Sequence, residues 1–160
     1  FSRVFPSAGA MKASSRDMQR FLSAAIGLPG TPGKIFYPMR MTQTAYVKLP
    51  NLLQGLGWQI HPITPESFGE LLDVNVMESV RLGAVKVNEV IDKPTFDGNA
   101  LIDKTGATDG FRTYIALIPN KKSGVVILTN RSAMDKEIVG VGREILFKLT
   151  RIIPNDSNKA

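Results

Sequence analysis

Lys104, Thr105 and Gly106 stand in a row inside the β-rich stretch from Ala100 to Asn130. If Leu101–Gly106 is a strand at a sheet edge facing a cleft, the Lys104 ammonium is a permanent positive charge offered to an anionic group. A charge-assisted hydrogen bond of that kind is worth about 1.5–3 kcal/mol. The Thr105 hydroxyl can donate to the same anion, and Gly106 has no side chain to hold a ligand away from the backbone. The free N–H and C=O groups of an edge strand can also pair with an amide, as an added strand would. The competing reading is a β-turn and strand with a surface lysine. Asp103 directly precedes Lys104, but strand alternation sends it to the opposite face, so it need not neutralise the ammonium.

The setting of the motif adds information. Leu101 and Ile102 lead into it, and Ala107-Thr108-Asp109-Gly110-Phe111 follows. A β-rich run then reaches Pro119, a polar turn covers Asn120 to Gly124, and Val125 to Leu128 is apolar. This K-T-G region resembles that of the serine β-lactamase and penicillin-binding protein superfamily, and within it the class C β-lactamases. Gln54-Gly55-Leu56-Gly57-Trp58 is similar to their Q-G-L-G-W segment. Met11-Lys12-Ala13-Ser14 through Arg16-Asp17-Met18 is similar to their G-x-K-[ST]-x-x-D-[ML] helix entry. The three matches lie in family order and span most of the chain.

The resemblance implies an α+β fold, helices packed on a mostly antiparallel β-sheet, as part of the β-lactamase/transpeptidase fold. It implies a β-lactam or cell-wall peptide as ligand, with Lys104, Thr105 and Gly106 against it and no cofactor or metal. By the same resemblance, the Ala107 N–H belongs to an oxyanion hole, a donor typically worth about 2.7–4 kcal/mol in the transition state. The resemblance likewise implies that Asn130 and Arg131 line the cleft for the substrate carboxylate and that the whole protein is periplasmic. Four residues depart from the family pattern: Gly9 where a substrate-facing Tyr is common, Asp103, Asp109 and Arg112.

Acyl transfer needs a nucleophile with a proton acceptor beside it. The family supplies these as S-x-x-K and Y-x-N. No Ser in this chain has Lys three residues later, and Tyr37, Tyr46 and Tyr114 lead to Met39, Lys48 and Ala116. Those motifs precede K-T-G in the family. The resemblance therefore implies the C-terminal part of a longer enzyme over 1–160, one wall of an active site without its catalyst. The alternatives are a non-catalytic module binding a peptide or a partner, and a segment of a D-Ala-D-Ala carboxypeptidase or esterase on the same fold. Exposed edges left by such a cut would invite self-association or pairing with the missing N-terminal part.

Bulk properties fit a single globular domain. The chain has 160 residues, 43% hydrophobic and 21% charged, enough for a sizeable core. The net charge of +6 is scattered and not interleaved with aromatics, which argues against a nucleic-acid face. No apolar run is long enough to span a membrane. With no Cys and one His, His61, thiolate sites are excluded and a zinc site is disfavoured.

These elements must position the motif. Ser14 or Ser15 caps a helix whose stripe is Met18, Phe21, Leu22, Ala25 and Ile26, ended by Gly27, Pro29 and Gly30. Thr31–Thr44 is ambiguous from its residues; the resemblance implies a short helix there, and Pro38 should break or kink anything that continues. Tyr46–Leu49 alternates weakly, and Gln54–Ile60 reads as a strand or extended segment, with Trp58 a core anchor. Pro62–Asn99 reads as loops with short strands. Asp135 starts a last helix with Ile138, Val141, Ile145, Leu146 and Leu149 on its inner face and Lys136, Arg143 and Lys148 largely off it. Its Gly140 and Gly142 could let it lie close to a sheet. Residues 153–160 read as a polar tail.

Overall fold

Two helices sandwich one antiparallel sheet in a computed structural model that describes residues 11–73, 86–108, 110–131 and 135–152. In chain order the elements are α1 (Ser15–Ile26), α2 (Gly33–Thr42), β1 (Ala45–Lys48), β2 (Leu53–Gln54), β3 (Gln59–His61), α3 (Phe68–Leu72) and β4 (Glu89–Thr95). They continue with β5 (Leu101–Thr108), β6 (Phe111–Ile118), a 3-10 turn at Pro119–Lys121, β7 (Ser123–Thr129) and α4 (Asp135–Thr150). The seven strands lie in the order β4-β1-β2-β3-β5-β6-β7. The α+β architecture is the one the sequence implies. Gly9, Asp109 and the tail 153–160 fall outside the described residues.

Strand alternation divides the core in two. Ile60, Ile102, Ile115 and Leu117 bury one face of the sheet against Leu22, Ala25 and Ile26 of α1. Leu101, Tyr114, Ala116 and Ile118 bury the other against Ile138, Val139, Leu146 and Phe147 of α4. Ser14 is the α1 N-cap: its hydroxyl accepts from the Asp17 N–H at 3.3 Å, and the Asp17 carboxylate accepts from the Ser14 N–H at 2.9 Å. That reciprocal pair satisfies two orphan groups of the first turn.

Several expectations are corrected. Gln54–Ile60 is not one strand but β2 and β3 joined by a turn. Trp58 at that turn is buried as expected, donating Nε1–H to Thr42 Oγ1 at 3.1 Å and stacking on Phe21. The helix α2 runs through Pro38. It is held by Arg40, whose guanidinium donates to the Ile26 carbonyl at 2.7 Å and so caps the C-terminal end of α1. In the stretch read as loops with short strands, Glu89–Thr95 is a strand of seven residues, and it carries Pro94. Among the described residues β4 is the sheet's outermost strand, with one side unpaired that can take the residue lacking an N–H.

The last helix begins at Asp135 as expected, but its buried face differs. Val139, Gly142, Arg143, Leu146 and Phe147 are buried with Ile138, whereas Val141, Ile145 and Leu149 are exposed. Gly142 is what lets α4 seat on the sheet. A Cβ there would lie 2.6 Å from Cδ1 and Cε1 of Tyr114. Tyr114 cannot swing aside, because its hydroxyl is hydrogen-bonded beneath the helix. Gly142→Ala is therefore expected to destabilise by about 1–2 kcal/mol, the overpacking cost exceeding the roughly 1 kcal/mol gained in helix propensity. A fall in the thermal unfolding midpoint would show this, and a rise would mean that the helix can shift outward.

Candidate active site

The hairpin of β5 and β6 carries the K-T-G motif at the point where β5 loses one of its neighbours. β3 pairs with β5 only at Leu101, Ile102 and Asp103. β6 pairs with it from Ile102 to Thr108. Among the described residues, Lys104–Thr108 thus has a partner strand on one side only. The expected edge strand over Leu101–Gly106 is corrected accordingly: Leu101–Asp103 lies inside the sheet, and the open edge begins at Lys104.

Lys104 is exposed, and its ammonium donates to the Thr105 carbonyl at 3.0 Å. It shares a face with Ile102 and Ile115, the α1 side. Thr105 lies directly opposite Tyr114 in the ladder, so its side chain starts from the α4 side. Ammonium and hydroxyl therefore converge only on a group lying along the edge itself. Gly106 is half-buried. A Cβ on it would come within 2.5 Å of Thr113 Oγ1 on β6, so the missing side chain is already required within the hairpin. Ala107 is exposed near the tip. Asn130 and Arg131, also exposed, follow β7 at the same end of the sheet, since Ala107, Arg112 and Thr129 lie in one row. Two strand spacings, roughly 10 Å, separate that row's ends.

Arg112 links this tip to the last helix. Its Nη1 donates to the carbonyls of Thr108 (3.0 Å) and Phe111 (2.9 Å), and its Nε lies 3.3 Å from Asp135 Oδ1 at the start of α4. An open groove of about 600 Å³, lined by Ser15, Arg16, Gln19, Leu22, Val126 and Leu128, lies between α1 and β7 on the Lys104 face of the sheet. Lys104 does not line it.

Beneath the motif lies a polar cluster that the sequence did not reveal. Asp103 is fully buried on the α4 side, as alternation requires, and its carboxylate is shared among three elements. Oδ2 accepts from the Tyr114 hydroxyl at 2.7 Å, and from Arg143 Nη2 at 2.8 Å and Nε at 3.2 Å. Oδ1 lies 3.3 Å from His61 Nε2. That nitrogen is also 3.2 Å from Arg143 Nη2 and cannot serve both partners. The Nε2–H tautomer satisfies the buried carboxylate oxygen, while Arg143 Nη2 is already engaged with Oδ2. Arg143 Nη1 donates to the Leu71 carbonyl at the end of α3, at 2.8 Å.

Burial would raise the Asp103 carboxyl, but the His61 imidazole, the Arg143 guanidinium and the Tyr114 hydroxyl outweigh it and hold the group at about 2. Burial and the Asp103 charge push the Tyr114 phenol well above its ordinary value. Burial works against the Arg143 cation, and the Asp103 carboxylate more than compensates. His61 is thus a partner in this cluster. Among the described residues, no group of His, Cys, Asp and Glu could hold a metal ion. The one sequence signal for the cluster was an acidic residue inside an otherwise apolar strand approach, at Asp103.

An antiparallel sheet with a helix on each face and a K-T-G strand left open from its lysine onward is part of the fold that β-lactamases and transpeptidases share. The chain belongs to the beta-lactamase family: the family model "Beta-lactamase" matches residues 2–146. A beta-lactamase of Psychrobacter immobilis is 33% identical over 138 residues, covering 85% of this chain and 33% of that protein. A beta-lactamase of Escherichia coli (strain K12) is 32% identical over 114 residues, 69% of this chain and 29% of that one. Among solved structures, the class C beta lactamase from Rhodobacter sphaeroides superposes with a TM-score of 0.71 at 26% identity, covering 86% of this chain and 38% of that chain. A D-alanine carboxypeptidase from Burkholderia cenocepacia gives 0.74 at 29% identity, covering 85% and 39%. The chain spans about a third of the length of the curated relatives it matches.

Proposed function

We propose that residues 1–160 form the C-terminal, K-T-G-bearing part of a class C-type serine β-lactamase, which hydrolyses β-lactams through an acyl-enzyme. The observation that carries this reading is the open edge of β5 at Lys104–Thr108, with a permanent cation at its start. Lys104 and Thr105 hold the ligand's carboxylate where it lies along that edge, releasing the ammonium from the Thr105 carbonyl. In an antiparallel strand N–H and C=O of one residue point to the same side, and residues two apart share it. Thr105 and Ala107 therefore act as a pair: Thr105 toward the ligand amide, Ala107 N–H toward the oxyanion that develops as the acyl carbonyl is attacked. Gly106 keeps the space between them clear. Asn130 and Arg131 form a second rim of positive and polar character for the carboxylate. The attacking hydroxyl belongs to an S-x-x-K segment that this sequence does not contain.

Two solved neighbours are described as carboxypeptidases or as having both activities. That favours a D-Ala-D-Ala peptide as the second ligand class, bound by the same carboxylate contacts. The periplasm is the compartment in which either ligand is met. Among the described residues no helix is long and apolar enough to cross a membrane.

Benzylpenicillin titrated into the isotopically labelled chain is expected to shift the amides of Lys104, Thr105 and Ala107. Lys104→Ala should weaken that response at least tenfold, the lower end of a charge-assisted bond. The intact mass should stay unchanged, since no nucleophile motif is present. Shifts confined to a distant surface, or an acylated chain, would contradict the proposal.

A further inference from the structure

The buried cluster sits at a special place in β5. Asp103 is the last residue of the strand held on both sides, and Lys104 is the first with an open edge. Lys104–Thr108 stays paired with β6 but loses β3 on its other side, so Asp103 is the last point at which β5 is held from both sides before its edge opens. Its side chain is fixed by Tyr114 from β6, His61 from β3 and Arg143 from α4, and Arg143 is fixed in turn by the Leu71 carbonyl of α3. Side chains from β3, β6 and α4 thus meet at one carboxylate on β5, and α3 is tied in through Arg143.

Burying an ion pair contributes little net stability compared with apolar side chains of similar volume, because both charges are desolvated. What such a pair does supply is direction. A carboxylate with its Oδ2 bonded to two partners and its Oδ1 to a third is held by directional bonds that apolar side chains of similar volume do not supply. We infer that Arg143, acting through Asp103, is a positioning residue for the Lys104–Ala107 edge, fixing where the ammonium and the Ala107 N–H stand relative to a bound acyl compound. The inference rests on the ligand reading above for its function, but on the cluster's own geometry for its existence.

The two can be separated on the full chain. In the triple variant Asp103→Leu, Tyr114→Phe, Arg143→Met the carboxylate, phenol and guanidinium are replaced by apolar groups, and only His61 and the Leu71 carbonyl remain as polar members of the cluster. Its unfolding midpoint is expected within about 5 °C of the parent. Its Lys104–Ala107 amide resonances should broaden or split through microsecond-to-millisecond exchange, while Leu117 and Ile118 amides stay sharp. The response to benzylpenicillin should fall at least tenfold. Sharp, single Lys104–Ala107 resonances at parental positions would overturn the inference. If the triple variant does not fold, Tyr114→Phe alone removes one bond to Asp103. Broadening at Lys104–Ala107 then supports the inference, and an unchanged edge overturns it. If benzylpenicillin leaves the parent's edge unshifted while the variants lose edge order, the ligand reading fails and the positioning role stands.

Discussion

Arg143→Met is expected to destabilise the chain by about 3–5 kcal/mol, because it leaves the Asp103 carboxylate buried without its counter-charge. The side chain is 1% exposed and Asp103 is 0% exposed, so solvent cannot take over. The Asp103→Leu, Tyr114→Phe, Arg143→Met variant should recover most of that loss, ending within about 1–2 kcal/mol of the parent. Urea unfolding followed by far-UV circular dichroism gives both numbers. A single variant no less stable than the triple would show that the cluster is not a closed charge pair.

The same cluster gives a pH dependence. Asp103 titrates at about 2 in the folded chain against an ordinary value of 3.8. A depressed carboxyl stabilises the fold fully above its unfolded pKa, and the contribution is lost as pH falls toward the folded one. The parent should therefore lose about 2 kcal/mol more than the triple variant between pH 5 and pH 2. Asp17, Glu66 and Glu144 are also lowered, by hydrogen bonds from Ser14, Thr64 and Lys148, but they are common to both proteins and cancel in the difference. Parallel curves for the two proteins would refute the assigned partners of Asp103.

The second large effect concerns the face that α4 turns inward. Phe147 is 3% exposed and packs on Phe68 with ring centroids 4.9 Å apart. Phe147→Ala is expected to cost about 3–5 kcal/mol. Ile145→Ala and Leu149→Ala, at residues 41% and 65% exposed, should each cost about 0.5 kcal/mol or less. Chemical unfolding of the three variants separates the alternatives: the reverse ranking would mean that α4 presents Val141, Ile145 and Leu149 to the sheet.

Both predictions mark where sequence reasoning stopped. The α1 stripe was readable because Leu22, Ala25 and Ile26 recur at helical spacing and meet an apolar sheet face. The β5–β6–β7 hairpins were readable from turn residues between apolar runs, including Gly110 at φ 79°. In α4 the apolar residues circle most of the helix, so periodicity could not choose between Phe147 and Ile145. Short strands were expected within Pro62–Asn99, but β4 could not be located there because Pro94 and its exposed side chains argue against a strand in the middle of a sheet, and only its position at the margin permits them.

The amino-acid sequence alone determined the family motifs, the absence of an S-x-x-K motif from these residues and the opposite facing of Asp103 and Lys104, since each follows from local sequence or from the period of a strand, and the resemblance those motifs carry implied the α+β class. Only the tertiary structure decided that β5 opens at Lys104 and that Arg143 belongs in the core. The physical reason is that a cation reads as a surface residue until its partner is known. Here the partner lies 40 residues away, on a strand that packs beneath it.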